Sequence, residues 1–404
     1  MKASKVRIHV VATCLILPTS AVLAQPSFQG LGALHPSRPN SSASAVSADG
    51  SVVVGRSLNE AFLWTAKAGM VGLGQLPYPF GEDSHANGVS GDGLVVVGYG
   101  VNYDGEAHPS AAFLWAAETG MVSLGAGTCP DGSRAFGVNG DGSVVVGTMN
   151  CGSFRWTEET GFVFFGGGAA YAVTPDGNVV VGYRAIINWG GMAFRWTAAG
   201  GVQDLGDLPG GLNRSQANAV SADGSVVVGE SHTDSGWEAF RWSERDGMVG
   251  LGGLPGAPPF SGATAVSSDG GLVIGVAAVS TKETAPFLWD AGHGMRPLQE
   301  VLATDYGLAD ALKGWTLRSA TAISTDSRTI VGWGRNPEGW SEAWRAHLGD
   351  ACRADFNADA VVNSQDFFDF LFAFFAGDAD FNIDGATDTQ DFFDFLTAFF
   401  EGCA

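Results

Sequence analysis

Two twelve-residue stretches near the carboxyl end carry oxygen donors at the spacing with which a single loop wraps a hard divalent cation. In the first, Asp355, Asn357, Asp359, Asn363 and Asp366 stand at positions 1, 3, 5, 9 and 12, and Val361 offers its backbone carbonyl at position 7. The second begins 25 residues later, with Asp380, Asn382, Asp384, Asp388 and Asp391 in the same places and the Ala386 carbonyl at position 7. Calcium takes about six to eight oxygens in such loops. An arbitrary run of aspartates is usually a solvated acidic surface, but duplication of the full spacing points to two Ca2+ sites. The loops differ at position 6, where the chain turns sharply: Gly385 stands in the second and Ala360 in the first. A Cβ at a left-handed position costs on the order of 1 kcal/mol, so the first site is expected to be the weaker.

Each loop runs into a nearly identical segment, Phe367-Phe368-Asp369-Phe370-Leu371 and Phe392-Phe393-Asp394-Phe395-Leu396, predicted to be helical. From Ala351 to Ala404 there are ten Asp, one Glu, one Arg and no Lys, with 13 of the 26 Phe of the chain. Most of these rings are expected to form the core of a two-helix module. About 50 residues cannot bury enough surface unaided, so the metals and a Cys352–Cys403 bridge are expected to supply the deficit; closing such a loop contributes roughly 3 to 4 kcal/mol in the chain-entropy description.

The whole chain of 404 residues has 21 Lys plus Arg against 42 Asp plus Glu, a net charge of −21, with 59 Gly and only 16% charged residues. That balance leaves no footprint for a nucleic-acid backbone, which is held by clustered cations. Low charge with abundant Val, Leu, Phe and Trp also opposes disorder. Residues 1–24 read as a secretory signal peptide: Lys2, Lys5 and Arg7 precede an apolar stretch from Ile8 to Leu17, and Val22-Leu23-Ala24 forms a small-residue cleavage site before Gln25. The stretch is short for a membrane anchor, no later window is long enough for a transmembrane segment, and Thr13-Cys14 is a poor lipoprotein signal. Four Cys then remain in an oxidising compartment. They permit three pairings, among which sequence position favours the local ones, Cys129–Cys151 and Cys352–Cys403.

The remainder is a repeat. Asp49-Gly50-Ser51-Val52-Val53-Val54-Gly55 recurs from Asp92, Asp141, Asp176, Asp223 and Asp269 and, degenerate, from Asp326, at intervals of 43, 49, 35, 47, 46 and 57 residues. Six of the seven units continue with Phe-Leu-Trp or Phe-Arg-Trp, as at Phe62-Leu63-Trp64 and Phe240-Arg241-Trp242, and the seventh with Trp344-Arg345-Ala346. A third element such as Gly69-Met70-Val71-Gly72-Leu73-Gly74 follows. Each unit reads as four short strands, the first two joined by an Asp-Gly turn of the two-residue hairpin kind. Four strands per 40 to 50 residues, with a Val run covered on both faces, fit a propeller blade.

The seventh unit lacks a fourth strand, and Phe28-Gln29-Gly30-Leu31-Gly32-Ala33-Leu34 matches that element in pattern. The N-terminal strand is therefore expected to complete the last blade and remove both open edges. The predicted fold is an all-β, seven-bladed β-propeller over 27–348, followed by a small α-helical, EF-hand-like module over 352–404. An open solenoid is the competing architecture, and Gln299 to Leu312, expected to be partly helical, is where the count could fail.

The repeats resemble the HAF family of bacterial extracellular repeats, named for a His-Ala-Phe triplet before Leu-Trp. Here the triplet is Glu60-Ala61-Phe62, Ala111-Ala112-Phe113, Met192-Ala193-Phe194 and Glu238-Ala239-Phe240, without the His. That resemblance implies an extracellular scaffold and no particular activity. The tail resembles the bacterial dockerin variant bracketed by a Cys near its start and a Gly-Cys at its end, here Cys352 and Gly402-Cys403, with Asp rather than Glu at position 12. It implies that positions 10 and 11, Ser364-Gln365 and Thr389-Gln390, contact a cohesin-like partner from a near-twofold surface; retention at the cell surface by another protein is the equal alternative.

In propeller order, the loops between second and third strands and those between blades share one rim. Trp189, Trp237 and Trp340, with Tyr103, His108 and His232, are expected in the first kind, and His35 and His85 in the second. Such rings could stack on a polysaccharide; packing against neighbouring loops is the plainer role. No Ser elbow, phosphate loop or His pair at metal spacing appears, though Glu82, Asp83, Asp104, Glu106 and Asp234 could surround the channel. The sequence thus points to a secreted, non-catalytic propeller attached through its tail, with a carbohydrate-active propeller on the same tag as the alternative.

Overall fold

The computed structural model describes residues 25–77, 80–102, 110–125, 132–186, 190–349, 356, 363–377, 379, 381 and 387–401. The chain divides after Gly349 into a large unit and a tail unit. The expected signal peptide lies outside the described residues. Among the described residues, no helix is long and apolar enough to cross a membrane.

The large unit is seven four-stranded antiparallel sheets. Blade 1 consists of Ser41–Val46, Val52–Ser57, Glu60–Thr65 and Gly69–Gly72, paired in that order. Blades 2 to 7 follow over 83–123, 133–164, 168–206, 215–250, 261–297 and 316–347. Ser27–Gly30 pairs antiparallel with Ser341–His347 and supplies the fourth strand of blade 7. The pairing is shorter than the expected Phe28–Leu34 element, but Leu31 extends it by donating its N–H to the Ala343 carbonyl. First strands of successive blades touch in an unbroken cycle, and that of blade 7 touches that of blade 1. The large unit is a closed seven-bladed β-propeller. The long seventh interval holds α1 (Leu298–Thr304) and a loop whose Leu308 and Leu312 pack under blade 7.

The Asp-Gly turns differ from the two-residue hairpin read in the sequence. Val46 pairs with Val53, Ser47 N–H donates to Val52 O, and Gly50 N–H donates to Ser47 O, so the loop holds four residues. Only Gly50 has positive φ, +71°. The Asp49 carboxylate organises the loop: Oδ1 accepts from the Ser47 hydroxyl at 2.7 Å and from Ser51 N–H at 2.9 Å. The Ser or Thr two residues before the Asp repeats this bond at Ser90, Thr174, Ser221, Ser267 and Ser324, while blade 3 has Asn139 in that place.

The Gly closing each Val-Val-Val-Gly has a steric cause. On the first strand a β-bulge falls between Ala43 and Ala45, with Ala43 opposite Gly55. A Cβ on Gly55 would lie 2.0 Å from the Ser42 carbonyl oxygen and 3.0 Å from the Phe62 ring. Ala opposite Gly recurs in all seven blades.

The core lies between blades rather than at a centre. One apolar layer holds Val54, Ala61 and Leu73 of blade 1 against Ala86, Val96 and Phe113 of blade 2; the layer between blades 7 and 1 joins Val331 and Ala343 to Val53 and Phe62. A buried Ser at the head of the first strand bolts neighbouring blades: the Ser215 hydroxyl accepts from Ala193 N–H at 2.9 Å and donates to the Gly206 carbonyl at 2.6 Å. Ser41, Ser84 and Ser261 make the same pair of bonds.

In the tail unit, α2 (Ser364–Ala376) and α3 (Thr389–Glu401) pack through Phe370 and Phe395, both fully buried. Six more rings, Phe356, Phe367, Phe374, Phe381, Phe392 and Phe399, surround them. The other five, Phe368, Phe372, Phe375, Phe393 and Phe400, are 60–82% exposed.

Candidate functional site

A channel runs along the propeller axis, lined by the seven first strands. At the end bearing the Asp-Gly turns, Val46, Val89, Val138, Val173, Val220, Val266 and Ile323 form an apolar ring around a cavity of about 260 Å³. Backbone bonds link adjacent turns there: Ala48 N–H to Gly91 O, Gly91 to Gly140, Gly140 to Pro175, Ala222 to Ser268, and Asp326 to Ala48. Pro175 has no N–H to continue the series.

Midway, the residue extruded by the bulge reaches toward the next blade in blades 2, 5, 6 and 7. Asn87 donates to Ala135 O and Asn218 to Ala263 O, both at 2.8 Å, Thr264 to Ala320 O at 2.8 Å, and Thr321 to Ala43 O at 3.0 Å. In blades 3 and 4 this place is taken by Phe136 and Tyr171, whose rings meet at 5.3 Å; Tyr171 also stacks on Tyr183 at 5.9 Å. Substituting large rings for a donor that fastens the fold breaks the repeat on one side of the channel only.

The same sector departs from the repeat at the mouth opposite the turns. His85 pairs with Tyr99 across the first two strands of blade 2, their rings stacked at 4.5 Å and 9°. The Arg134 guanidinium of blade 3 stands 4.8 Å over the far side of Tyr99. Arg56 of blade 1 holds the buried Asp83 at 2.6 Å, and His85 Nε2 is 3.5 Å from the other Asp83 oxygen. Burial, then the Arg56 charge, pushes His85 down to about 4 against the opposing pull of Asp83; the imidazole is neutral at pH 7. Burial, with Tyr183 and Glu230 nearby, pushes Tyr171 up to about 12. Burial also raises Glu230, which accepts from Gln216 at 2.8 Å. An arc from blade 1 to blade 5 thus carries stacked rings, hydrogen-bonding groups and nearly balanced charge.

The rim residues expected from sequence scatter. Trp237 and His232 lie within strands and face each other across a hairpin, rings 5.6 Å apart, and His85 lies in a strand rather than a loop. Longer strands in blade 5 absorb what read as loop. Trp340 stands on a loop, 52% exposed, its N–H donating to Asn336. His35 lies in the loop before blade 1. Tyr103, His108, Trp189, Asp104 and Glu106 lie outside the described residues. Glu60 and Glu238, at the first place of the Ala-Phe triplets, and Glu342, before Ala343-Trp344, have a structural duty missed in the sequence: each carboxylate accepts a loop N–H, from Gly74, Gly252 and Gly32.

Of the twelve expected calcium ligands, Asn363, Asp366, Asp388 and Asp391 are described; Asp355, Asn357, Asp359, Val361, Asp380, Asn382, Asp384 and Ala386, with Ala360 and Gly385, lie outside the described residues. Asn363 caps α2, accepting from Gln365 N–H at 2.7 Å and donating its own N–H to Asp366 at 2.8 Å. Asp388 repeats both bonds, with Gln390 and Asp391, at the same lengths. Asp366 and Asp391 are fully buried, in a segment whose only sequence cation is Arg353. A buried carboxylate requires compensating charge, and a hard cation held by an oxygen-donor loop meets that need. Ser364, Gln365, Thr389 and Gln390 are exposed at the helix starts, and both Gln side chains donate to an aspartate one turn on, Asp369 and Asp394, at 2.8 Å. Cys129, Cys352 and Cys403 lie outside the described residues.

No family model and no curated protein matches the chain. Solved structures similar to it include the β-propeller domain of the Trilobed protease from Pyrococcus furiosus, 11% identical with a TM-score of 0.48, covering 81% of this chain and 98% of that one. An oligogalacturonate lyase in complex with manganese is likewise 11% identical with a TM-score of 0.48, covering 81% and 95%. TolB from Acinetobacter baumannii is 12% identical with a TM-score of 0.41, covering 71% and 75%.

Proposed function

We propose that the chain is exported and serves as a non-catalytic binding ring, held at a cell surface or in an extracellular complex by a calcium-loaded, dockerin-like tail. The observation that carries this is the duplicated tail geometry: two helices start with the same capping bonds and each buries an aspartate in a segment almost without cations. When bound, calcium would supply charge compensation and order the two loops, through the donor sets beginning at Asp355 and Asp380. Cys352–Cys403 would close the module, and Cys129–Cys151 would close a hairpin in blade 3. Ser364, Gln365, Thr389 and Gln390 would meet a cohesin-like or other cell-surface partner. The five exposed Phe rings support a docking role, because contiguous exposed apolar surface marks interaction sites; Phe368, Phe372 and Phe375 lie at i, i+4 and i+7 on one face of α2.

The test is retention of the full-length protein on envelopes of the producing cell. Calcium-dependent retention, released by EDTA and lost in an Asp366→Asn/Asp391→Asn variant, is expected. Retention indifferent to calcium and to both substitutions would overturn the proposal. A carbohydrate-active ring is the second reading, favoured by the carboxyl groups Asp83 and Glu230 among the ionisable residues of the arc; release of new reducing ends from a polysaccharide would establish it.

A further inference from the structure

The end of the channel that bears the Asp-Gly turns combines an open apolar cavity with a ring of charge. The cavity of about 260 Å³ is walled by the Val and Ile ring and rimmed by the residue ahead of each turn aspartate, and no ionisable side chain lines it. It is shallow. The bulge residues Asn87, Asn218, Thr264 and Thr321, which hydrogen-bond between blades, lie two positions before the ring, about 7 Å away at the rise of a strand. One side chain fits that space, since an apolar cavity of about 150 Å³ already holds benzene.

The charge is unevenly compensated. All seven turn aspartates, from Asp49 to Asp326, are exposed. Arg195, Arg241 and Arg345 donate to the turns of blades 5, 6 and 1, and Arg328 stands within the turn of blade 7. Ahead of the turns of blades 2 and 3 the same place in Phe-x-Trp is held by Leu63 and Leu114. Among the described residues, therefore, no arginine bonds the turns of Asp92 and Asp141. The rim residues beside them are Gly91 and Gly140, which have no side chain to obstruct the opening. The lowest wall of the cavity thus adjoins these two carboxylates.

We propose that this mouth docks an extended segment of a partner protein in which one apolar side chain, aliphatic or aromatic, is flanked by lysines or arginines. The apolar group fills the cavity and the cations meet the aspartate ring, first at Asp92 and Asp141. This rests on the binding-ring reading and names the partner of that ring. Burial of the apolar group supplies affinity, while the charges steer the segment and fix its register. A second copy of the chain suits the mouth poorly, because it would set one acidic ring against another and the chain carries −21 overall.

The experiment is calorimetric titration of the full-length protein at pH 7 with four synthetic peptides: a central Leu, Phe or Ala flanked by paired lysines, and a central Leu flanked by paired glutamates. The Leu or Phe peptide should bind, with the Ala-centred and Glu-flanked peptides at least tenfold weaker. Lysines alone can also meet the acidic tail, and the Ala-centred peptide reports that contribution. Ala222→Phe and Ser268→Phe, which fill the cavity from two different turns, should each weaken binding tenfold or more. The double variant Asp92→Asn/Asp141→Asn should do the same while keeping the side-chain oxygen that accepts the turn bonds. Glu118→Gln, on an exposed outer turn, should leave binding unchanged. No peptide bound, an Ala-centred peptide as tight as the others, or binding indifferent to the filled cavity would each overturn the proposal. So would a monomer–dimer equilibrium removed by Ala222→Phe, which would assign the mouth to a second copy. Calcium-dependent retention is measured without these peptides, so the attachment proposal stands or falls separately.

Discussion

The Thr321 hydroxyl donates to the Ala43 carbonyl at 3.0 Å across 278 residues of chain. It is one of several bonds from blade 7 to blade 1 that recur between other neighbouring blades. Arg345 Nε donates to Gly50 O at 3.0 Å, repeating Arg195 to Gly224 and Arg241 to Gly270. The ring therefore closes with the same inter-blade bonds that recur elsewhere, alongside the Ser27–Gly30 strand that completes blade 7.

The buried serine bolts should carry measurable stability. In Ser215→Ala the Ala193 N–H and Gly206 carbonyl lose a partner inside an inter-blade layer, and an unsatisfied buried group costs about 1–3 kcal/mol. A urea midpoint lowered accordingly is expected, against a change within about 0.5 kcal/mol for the exposed Glu244→Ala. Equal midpoints would remove the bolt from the account.

Acid should loosen the turns in a defined window. Hydrogen bonds from Ser221 and Ser225 lower Asp223 to about 2 from an ordinary 3.8. Between those values the unfolded chain takes up a proton that the folded chain refuses, so stability falls as pH falls from about 4 to about 2. Asp49, Asp141, Asp176 and Asp269 shift in the same direction. Melting temperature plotted against pH should be flatter for Asp223→Asn than for the parent below pH 4, and parallel curves would show that the turn carboxylate does not contribute.

The repeat made most of the ring legible, for a physical reason. Val-Val-Val, Phe-x-Trp and Asp-Gly each answer a local demand that returns every blade, so one unit read correctly is seven, and the unmatched Phe28 segment disclosed the closure. The turn geometry was misread because Asp49 works through its side chain, which dipeptide preference does not report. The serine bolts and the glutamates at Glu60, Glu238 and Glu342 were missed because their partners lie on adjacent strands and loops rather than at a sequence spacing. The channel arc was hidden for a related cause: His85, Arg134 and Tyr171 are some 40 residues apart and converge only when the ring forms. In the tail, the repeated spacing disclosed the helices, but it could not separate Phe370, which is buried, from Phe372, which is exposed.

That last contrast is testable. Phe370 lies flat on Phe395, centroids 4.0 Å apart and 5° from parallel, so Phe370→Ala should destabilise the tail by about 3–5 kcal/mol. Phe372, 82% exposed, should tolerate Phe372→Gln within about 0.5 kcal/mol. Limited proteolysis reads the difference, with rapid loss of the 350–404 segment expected only in the first variant. Equal resistance would mean that the helices are not held by that stack.

The most direct measurement is calcium uptake by the full-length protein, followed by isothermal titration from an EDTA-stripped state. Two equivalents are predicted, one tighter than the other, with Ala360→Gly strengthening the weaker and Asp391→Asn abolishing one. A flat titration, or a single site unaffected by either substitution, would contradict a tail built to fold around two ions.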